Sequence, residues 1–254
     1  MKIHPYFVVV TIVRNDFAGL VKTQKSLFDQ TFSDFLWIII DGASTDGSAE
    51  YALSLKQERV IVVSEPDAGI YDAMNKGLKL ASGEYIIFMN AGDCFANNEN
   101  LRMVFDLGNS FDFIYGDSLE DVNGEAKYKI SKGVRNLKKG MFGCHQSMYY
   151  RVSMAKEIGF SDCYKIAGDY DFTVRFLLNS KKCFKVVRPL AIFDMSGVSN
   201  SNDCLGRKEN WNIQRDVLGV SVIGRVLLRV NYILASFVRK KMRRLYSRLR
   251  YSNV

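Results

Sequence analysis

The 254-residue sequence predicts an α/β fold, a single mostly parallel sheet flanked by helices, with a C-terminal amphipathic helical appendage. Three observations carry this expectation. Continuous apolar runs, typical of strands buried on both faces, recur from Tyr6 to Met89. Segments of helical spacing separate them, the order of parallel βαβ units. Each run stops at a polar or acidic cluster, and in open α/β sheets the ligand lies beyond the carboxyl ends of the strands.

The first strand is Tyr6–Val13 (YFVVVTIV), followed by a helix over 17–30 with Leu20, Val21, Leu27 and Phe28 at helical spacing. Phe35–Ile40 (FLWIII) is the second strand; the polar turn Asp41–Gly47 then caps a helix over 48–57. Val60–Ser64 is a third strand, 70–81 a helix and Tyr85–Met89 a fourth strand. Beyond Asp93 the pattern loosens. Phe111–Tyr115 reads as a strand, 118–140 as a polar stretch that can hold a hairpin, and Lys165–Leu178 as a helix with Asp169 at its start. Lys185–Phe193 is a late strand and Ser196–Asp203 a loop. No Pro- or Gly-rich linker divides the chain, so the expected organisation is one domain over 1–219 and a tail over 220–254.

Apolar residues at 48% and charged residues at 24% exclude a disordered chain. The five cysteines are odd in number and include no CxxC pair, which supports neither a disulfide framework nor a zinc site and fits a reducing cytoplasm. Phe7–Val13 is too short for a signal peptide and no small-residue cleavage site follows it. Val217–Val238 has the length of a membrane span, but Arg225 and Arg229 fall in its middle, each at a cost of roughly 2.5–3.5 kcal/mol on insertion scales. The segment is expected to lie on a membrane.

The net charge of +8 is concentrated in that tail: from Arg225 to the end there are nine Lys/Arg and no Asp/Glu. From Leu227 onward, apolar residues recur at Val230, Leu234, Phe237, Val238, Met242, Leu245 and Leu249, steps of three and four that put them on one helical face. A basic amphipathic helix of this kind seats on an anionic membrane surface; packing on the chain's own domain or a partner subunit is the alternative.

At the rim, Arg14-Asn15-Asp16 follows the first strand, Asp41 the second, Glu65-Pro66-Asp67 the third and Asn90-Ala91-Gly92-Asp93 the fourth. Any one of these serves equally as turn or cap chemistry; four at one rim point to a site. A GxGxxG fingerprint and a P-loop are both absent, which excludes the common dinucleotide and NTP cradles. Ser147 beside His145 has no partnering Asp in view, so a serine-type triad is not supported.

The segments VVTIVRND, IIIDGASTDGS, EPDAGIYDAMNKGLKLASGEYIIFMNAGD, CHQSMYYR and AGDYDFTVR, in that order over residues 6–195, resemble bacterial family 2 glycosyltransferases, closest to the branch that builds O-antigen and exopolysaccharide repeat units. The resemblance implies the GT-A fold, inversion at the anomeric carbon, a nucleotide-sugar donor and a divalent metal, Mn2+ or Mg2+. The metal would neutralise charge on the leaving diphosphate, and such hard cations need few protein ligands, because phosphates and water supply the rest. Asp93 is the expected ligand. The family's DxD is reduced here to Asn90-Ala91-Gly92-Asp93, leaving Asn90 to contact ribose or a metal-bound water.

By the same resemblance Asp41 accepts the N3–H of a uracil, and Thr11, at the end of the first strand, is the position whose backbone also faces the base. Asp67 contacts the nucleotide, and Arg14, with Asn15 beside it, and Lys76 approach the phosphates. Asp169 matches the aspartate of the family's ED motif and is the expected general base, with Gly168 in place of the Glu. Asp171 is the alternative base, though Arg175 four residues on can pair with it. His145 matches a His-Gln near the acceptor or donor phosphate.

The expectation is transfer of a hexose, from UDP-glucose or UDP-galactose as first choices, to an undecaprenyl-diphosphate-linked saccharide at the cytoplasmic face of the inner membrane. No nucleic acid is expected as a partner. The alternatives are transfer to polyprenyl phosphate, and a non-catalytic nucleotide- or nucleic-acid-binding protein.

Overall fold

The computed structural model describes residues 4–122, 125–194 and 203–241. Its first half is the expected βαβ series: β1 (Phe7–Val13), α1 (Phe17–Phe28), β2 (Phe35–Asp41), α2 (Ser48–Ser54), β3 (Val60–Ser64), α3 (Ile70–Leu80) and β4 (Tyr85–Phe88). Strands β1 and β2 pair in parallel, as do β1 and β4, and β2 and β3.

The second half is mixed. It runs β5 (Cys94–Phe95), α4 (Asn100–Phe105), β6 (Phe113–Val122), β7 (Glu125–Lys129), a 3₁₀ turn at His145–Ser147, β8 (Met148–Arg151), α5 (Val152–Ile158), α6 (Gly168–Asn179) and β9 (Cys183–Asp194). Strand β8 joins the halves, antiparallel to both β4 and β6; β9 runs parallel to β6 and antiparallel to β5. The sheet order is β3-β2-β1-β4-β8-β6-β9-β5, with β7 hairpinned onto β6. The sheet is therefore parallel around β1 and mixed beyond β4.

Alternation along the strands sorts two cores. Val8, Val10, Ile38 and Ile40 face α3, α5 and α6 with Met74, Leu78, Phe172 and Phe176. Phe7, Val9, Trp37 and Ile39 face α1 and α4 with Leu20, Leu27, Leu101 and Val104. Both strand faces are buried, which is why β1 and β2 read as unbroken apolar runs. Helix α3 lies so close to β1 that a Cβ at Gly77 would sit 2.4 Å from Val10 Cγ1.

Two helices follow, α7 (Asp203–Asp216) and α8 (Val222–Lys241). Along α8 the side chains of Leu227, Val230, Leu234 and Phe237 are all more than a third exposed. The further tail positions Met242, Leu245 and Leu249, and most of the Ser196–Asp203 loop, lie outside the described residues. No described helix is long and apolar enough to cross a membrane.

Candidate active site

A cavity of about 270 Å³ opens beyond the β4 end of the sheet, and Asn90, Ala91, Asp93, His145 and Asp169 all line it. The sequence separates these residues by as many as 79 positions; the fold gathers them from the loop after β4, the 3₁₀ turn and the start of α6.

The Asn90–Asp93 loop is held by α1. Thr23 Oγ1 donates to Asp93 O at 2.7 Å and accepts from Gly92 N at 3.1 Å. Gly92 has φ 92°, a left-handed conformation that favours glycine, and a Cβ there would approach Asp194 Oδ2 at 3.3 Å. Asp93 is buried, with Oδ2 accepting from Gln146 Nε2 at 2.6 Å and Oδ1 from Asp194 N at 3.0 Å. Burial pushes its carboxyl up to about 6, against the pull of these donors and of His145.

Asp169 lies in the first turn of α6, where the helix dipole favours a carboxylate. Its Oδ1 accepts from Tyr170 N at 2.8 Å, and its Oδ2 is 3.4 Å from His145 Nδ1. The other imidazole nitrogen, Nε2, is buried without a partner, and so is Asn90 Oδ1. Gly168 beside it is dictated by Tyr71: a Cβ at 168 would fall 2.6 Å from the Tyr71 ring. The Tyr71 hydroxyl donates to Ile166 O at 2.6 Å.

Asp169 and Ile166 also line a second, larger groove of about 990 Å³ between the core and helices α7 and α8. Glu209 on α7 holds this wall. Its carboxylate accepts from three consecutive amides, Lys165, Ile166 and Ala167, at 2.8–2.9 Å, just ahead of α6.

A further group of the expected residues converges beside Gly42. A Cβ on Gly42 would fall 2.3 Å from Asp67 Oδ2 and 3.3 Å from Arg14 Cδ, so a side chain at 42 would displace both. Asp41 is buried; its Oδ2 accepts from Ser64 Oγ (2.7 Å) and Ser44 N (3.1 Å), while Oδ1 has no partner. An unpaired buried carboxylate oxygen is an acceptor suited to a ligand N–H.

Four expectations are corrected. Thr11 sits inside β1, not at its end; its buried hydroxyl accepts from Trp37 Nε1 at 2.9 Å, so only its backbone is left to face a ligand. Lys76 is held by Glu65 (2.9 Å), Asp72 (3.5 Å) and Pro66 O (2.7 Å), so it pins the β3–α3 loop instead of reaching for phosphates. Asn15, with φ 52°, joins two loops: its amide donates to Ser44 Oγ and its Oδ1 accepts from Thr45 N, both at 2.8 Å. Asp171 is buried under Arg175, whose Nε and Nη2 both reach its Oδ2 (2.8 and 2.6 Å), and it lines neither cavity. That leaves Asp169 as the carboxylate of α6 that faces a cavity.

The sequence reading missed Asp16, Gln146 and Asp194. Asp16, which lines the same cavity, was legible as the third residue of the first rim cluster, and Gln146 as the neighbour of His145. Asp194 comes from the end of β9, 101 residues after Asp93, and only the sheet pairing brings it there.

The residues fit a divalent cation. Asn90 Oδ1 is a buried hard oxygen without a partner, and the Asp93 and Asp194 carboxylates line the same cavity. Among the described residues no group of three or more His, Cys, Asp or Glu is placed to hold a metal ion, so phosphates and water would have to supply most of its ligands.

The parallel half around β1, joined through β8 to a mixed half, is a fold of GT-A type. The Glycosyl transferase family 2 profile matches residues 8–161, and the chain belongs to that family. It is 30% identical over 185 residues to a PGL/p-HBAD biosynthesis glycosyltransferase of Mycobacterium bovis, covering 69% of this chain and 71% of that one. Among solved structures, S. aureus TarS in complex with UDP-GlcNAc matches with a TM-score of 0.66 at 20% identity, over 82% of this chain. The chain spans 64% of that structure. The mannosyltransferase PcManGT of Pyrobaculum calidifontis, in complex with GDP-Man and Mn2+, matches with a TM-score of 0.58 at 15% identity, over 84% of this chain and 61% of that one.

Proposed function

We propose that this family 2 glycosyltransferase inverts a hexose as it moves it from a nucleotide sugar, UDP-linked as the first choice, to a lipid-linked saccharide. The observation that carries the reading is the position of Asp169, which lines both the small cavity of Asp93 and the larger groove under α7 and α8. An inverting transfer needs a carboxylate between donor and acceptor.

In the proposed reaction the donor's sugar diphosphate lies by Asn90 and Asp93, with its base toward Asp41 and Arg14 nearby. An acceptor hydroxyl in the groove attacks the anomeric carbon from the side opposite the diphosphate. As the new C–O bond forms, the anomeric C–O bond to phosphate breaks with its electron pair, and the hydroxyl proton passes to Asp169. General-base assistance of this kind is worth roughly 10²–10⁴-fold. His145 orients Asp169 through Nδ1 and turns Nε2 toward the leaving group. Asp93 and Asn90 would hold a divalent cation such as Mn2+ or Mg2+, which would neutralise charge on the diphosphate.

The undecaprenyl-diphosphate-linked unit of exopolysaccharide assembly is the acceptor form that the sequence resemblance suggests; relatives named for PGL/p-HBAD biosynthesis do not single out the O-antigen branch. The exposed apolar side chains of α8 suit a peripheral seat on a membrane surface, which in this reading is the cytoplasmic face of the inner membrane. TarS with UDP-GlcNAc and with UDP supports the choice of UDP.

The test is a panel of UDP- and GDP-sugars incubated with short-chain lipid-linked saccharides. Nucleoside diphosphate release and the anomeric configuration of the product are read by NMR. One donor giving a product of inverted configuration is expected; retention of configuration, or no turnover across the panel, overturns the reading.

A further inference from the structure

The groove beyond Asp169 contains a buried guanidinium nitrogen with no hydrogen-bond partner among the described residues. Arg225, on the inner side of α8, is 6 % exposed, and its Nε has no hydrogen-bond partner. Its Cζ lies 4.5 Å from the centre of the Trp211 ring on α7, which fixes the guanidinium plane. The Asp216 carboxylate is near enough to feel its charge, but no carboxylate among the described residues pairs with it within 4.0 Å. A buried guanidinium is ordinarily paired and fully hydrogen-bonded, because an unpaired buried charge is costly. A donor left open on the wall of a cavity is therefore a place for an anion.

The surroundings have the same sign. Lys139, Arg207, Lys208 and Arg229 line the groove with Arg225, and Asp169 is the one carboxylate among the described lining residues. The rest of the wall includes Met141, Leu228, Ile233 and Phe237. Ile233 and Phe237 are also among the exposed apolar side chains of α8, so the groove runs out onto the helix's open apolar face. A cationic interior and an apolar exit complement an amphiphile with a phosphate head.

We propose that this groove is the acceptor site and that Arg225 binds the phosphate-bearing linker of an amphiphilic acceptor, whose chain leaves along Ile233 and Phe237. The assignment rests on Asp169 as the base, since the sugar hydroxyl must reach that carboxylate while the linker lies on Arg225. The planar guanidinium fork presents parallel donors to phosphate oxygens, and Trp211 holds it in place for them. The donor's own diphosphate belongs beside Asn90 and Asp93, which leaves Arg225 for the acceptor.

The probe is n-decyl phosphate, titrated into the full chain below its micelle concentration and read by tryptophan fluorescence. Trp37 is fully buried in the core, so Trp211 reports the groove. Saturable binding is expected, with uncharged decyl glucoside and inorganic phosphate each binding at least ~10-fold more weakly. Arg225→Gln should raise the Kd for decyl phosphate ~10-fold or more, Arg225→Lys should fall between, and Trp211→Phe should lose the signal. Equal affinity for decyl phosphate and decyl glucoside in the wild type overturns the proposal without recourse to any variant. So does an unchanged Kd in a folded Arg225→Gln protein. Inorganic phosphate binding as tightly as decyl phosphate makes this a free-phosphate site and overturns it too. None of these readings depends on turnover, so failure of the catalytic assignment would appear separately, as an active Asp169→Asn enzyme.

Discussion

His145 and Asp169 face each other across the cavity with Nδ1 3.4 Å from Oδ2, while His145 Nε2 is buried without a partner. An imidazole anchored at one nitrogen and open at the other is built to meet a ligand. His145→Ala should lower kcat by ~10–100-fold, within the range for loss of a positioned proton-handling or charge-stabilising group. His145→Asn, whose amide can still reach Asp169, should recover part of that loss. Steady-state kinetics with both variants check this; an Asn variant no better than Ala contradicts the orienting role.

Asp93 sets stability against function. Its carboxyl is raised from 3.8 to about 6 by burial, so the folded protein binds its proton more tightly than the unfolded chain does. The sign follows: the contribution to stability is fullest below pH 3.8, is lost as pH rises through 6, and stays lost above. In chelator and without donor, Asp93→Asn should therefore be more stable than wild type at pH 7.5 by ~1–2 kcal/mol. That is a shift worth ~3 kcal/mol less the cost of one weakened hydrogen bond. The same variant should lose transfer activity. Urea unfolding at pH 7.5 and pH 4 measures it; a variant less stable than wild type at pH 7.5 contradicts the electrostatic account.

The open apolar face of α8 predicts where the enzyme works. A chain ending at Val220 should stay in solution when full-length protein sediments with anionic vesicles, and added salt should weaken the full-length interaction. It should also lose more turnover on a long-chain lipid acceptor than on a short-chain one. Equal sedimentation of the two proteins would remove α8 and the tail as the anchor.

The sequence made the first half of the fold legible because β1 to β4 are buried on both faces, and continuous apolar runs mark such strands. The second half hid its strands. Strand β6 continues past Tyr115 through Asp117 and Glu120, buried carboxylates that look like loop residues. Asp117 accepts from Ser131 N and Tyr128 Oη, both at 2.8 Å, and pairs with Lys185 at 3.2 Å; Lys129 pairs with Glu120. Those partners come from other strands and loops and are invisible to local pattern. The site divides in the same way. Asp93, His145 and Asp169 stood out by motif, and the loss of Asp171 to Arg175 was readable from their spacing of four. The role of Lys76 was misread because its three partners lie on the adjoining loop and helix turn. Arg225 read as a charge that spoils a membrane span; only the packing of α8 on α7 shows it buried against Trp211.

The central claim is that Asp169, and not Asp171, takes the acceptor proton, and single-turnover transfer measured alongside equilibrium donor binding tests it most directly. Asp169→Asn should transfer at least ~10²-fold more slowly than wild type with donor affinity nearly unchanged. Asp171→Asn should lose stability, by ~3 kcal/mol or more for a broken buried pair, yet transfer within a few-fold of wild type while folded. A folded Asp171→Asn protein that cannot transfer, beside an Asp169→Asn protein that can, would contradict the account.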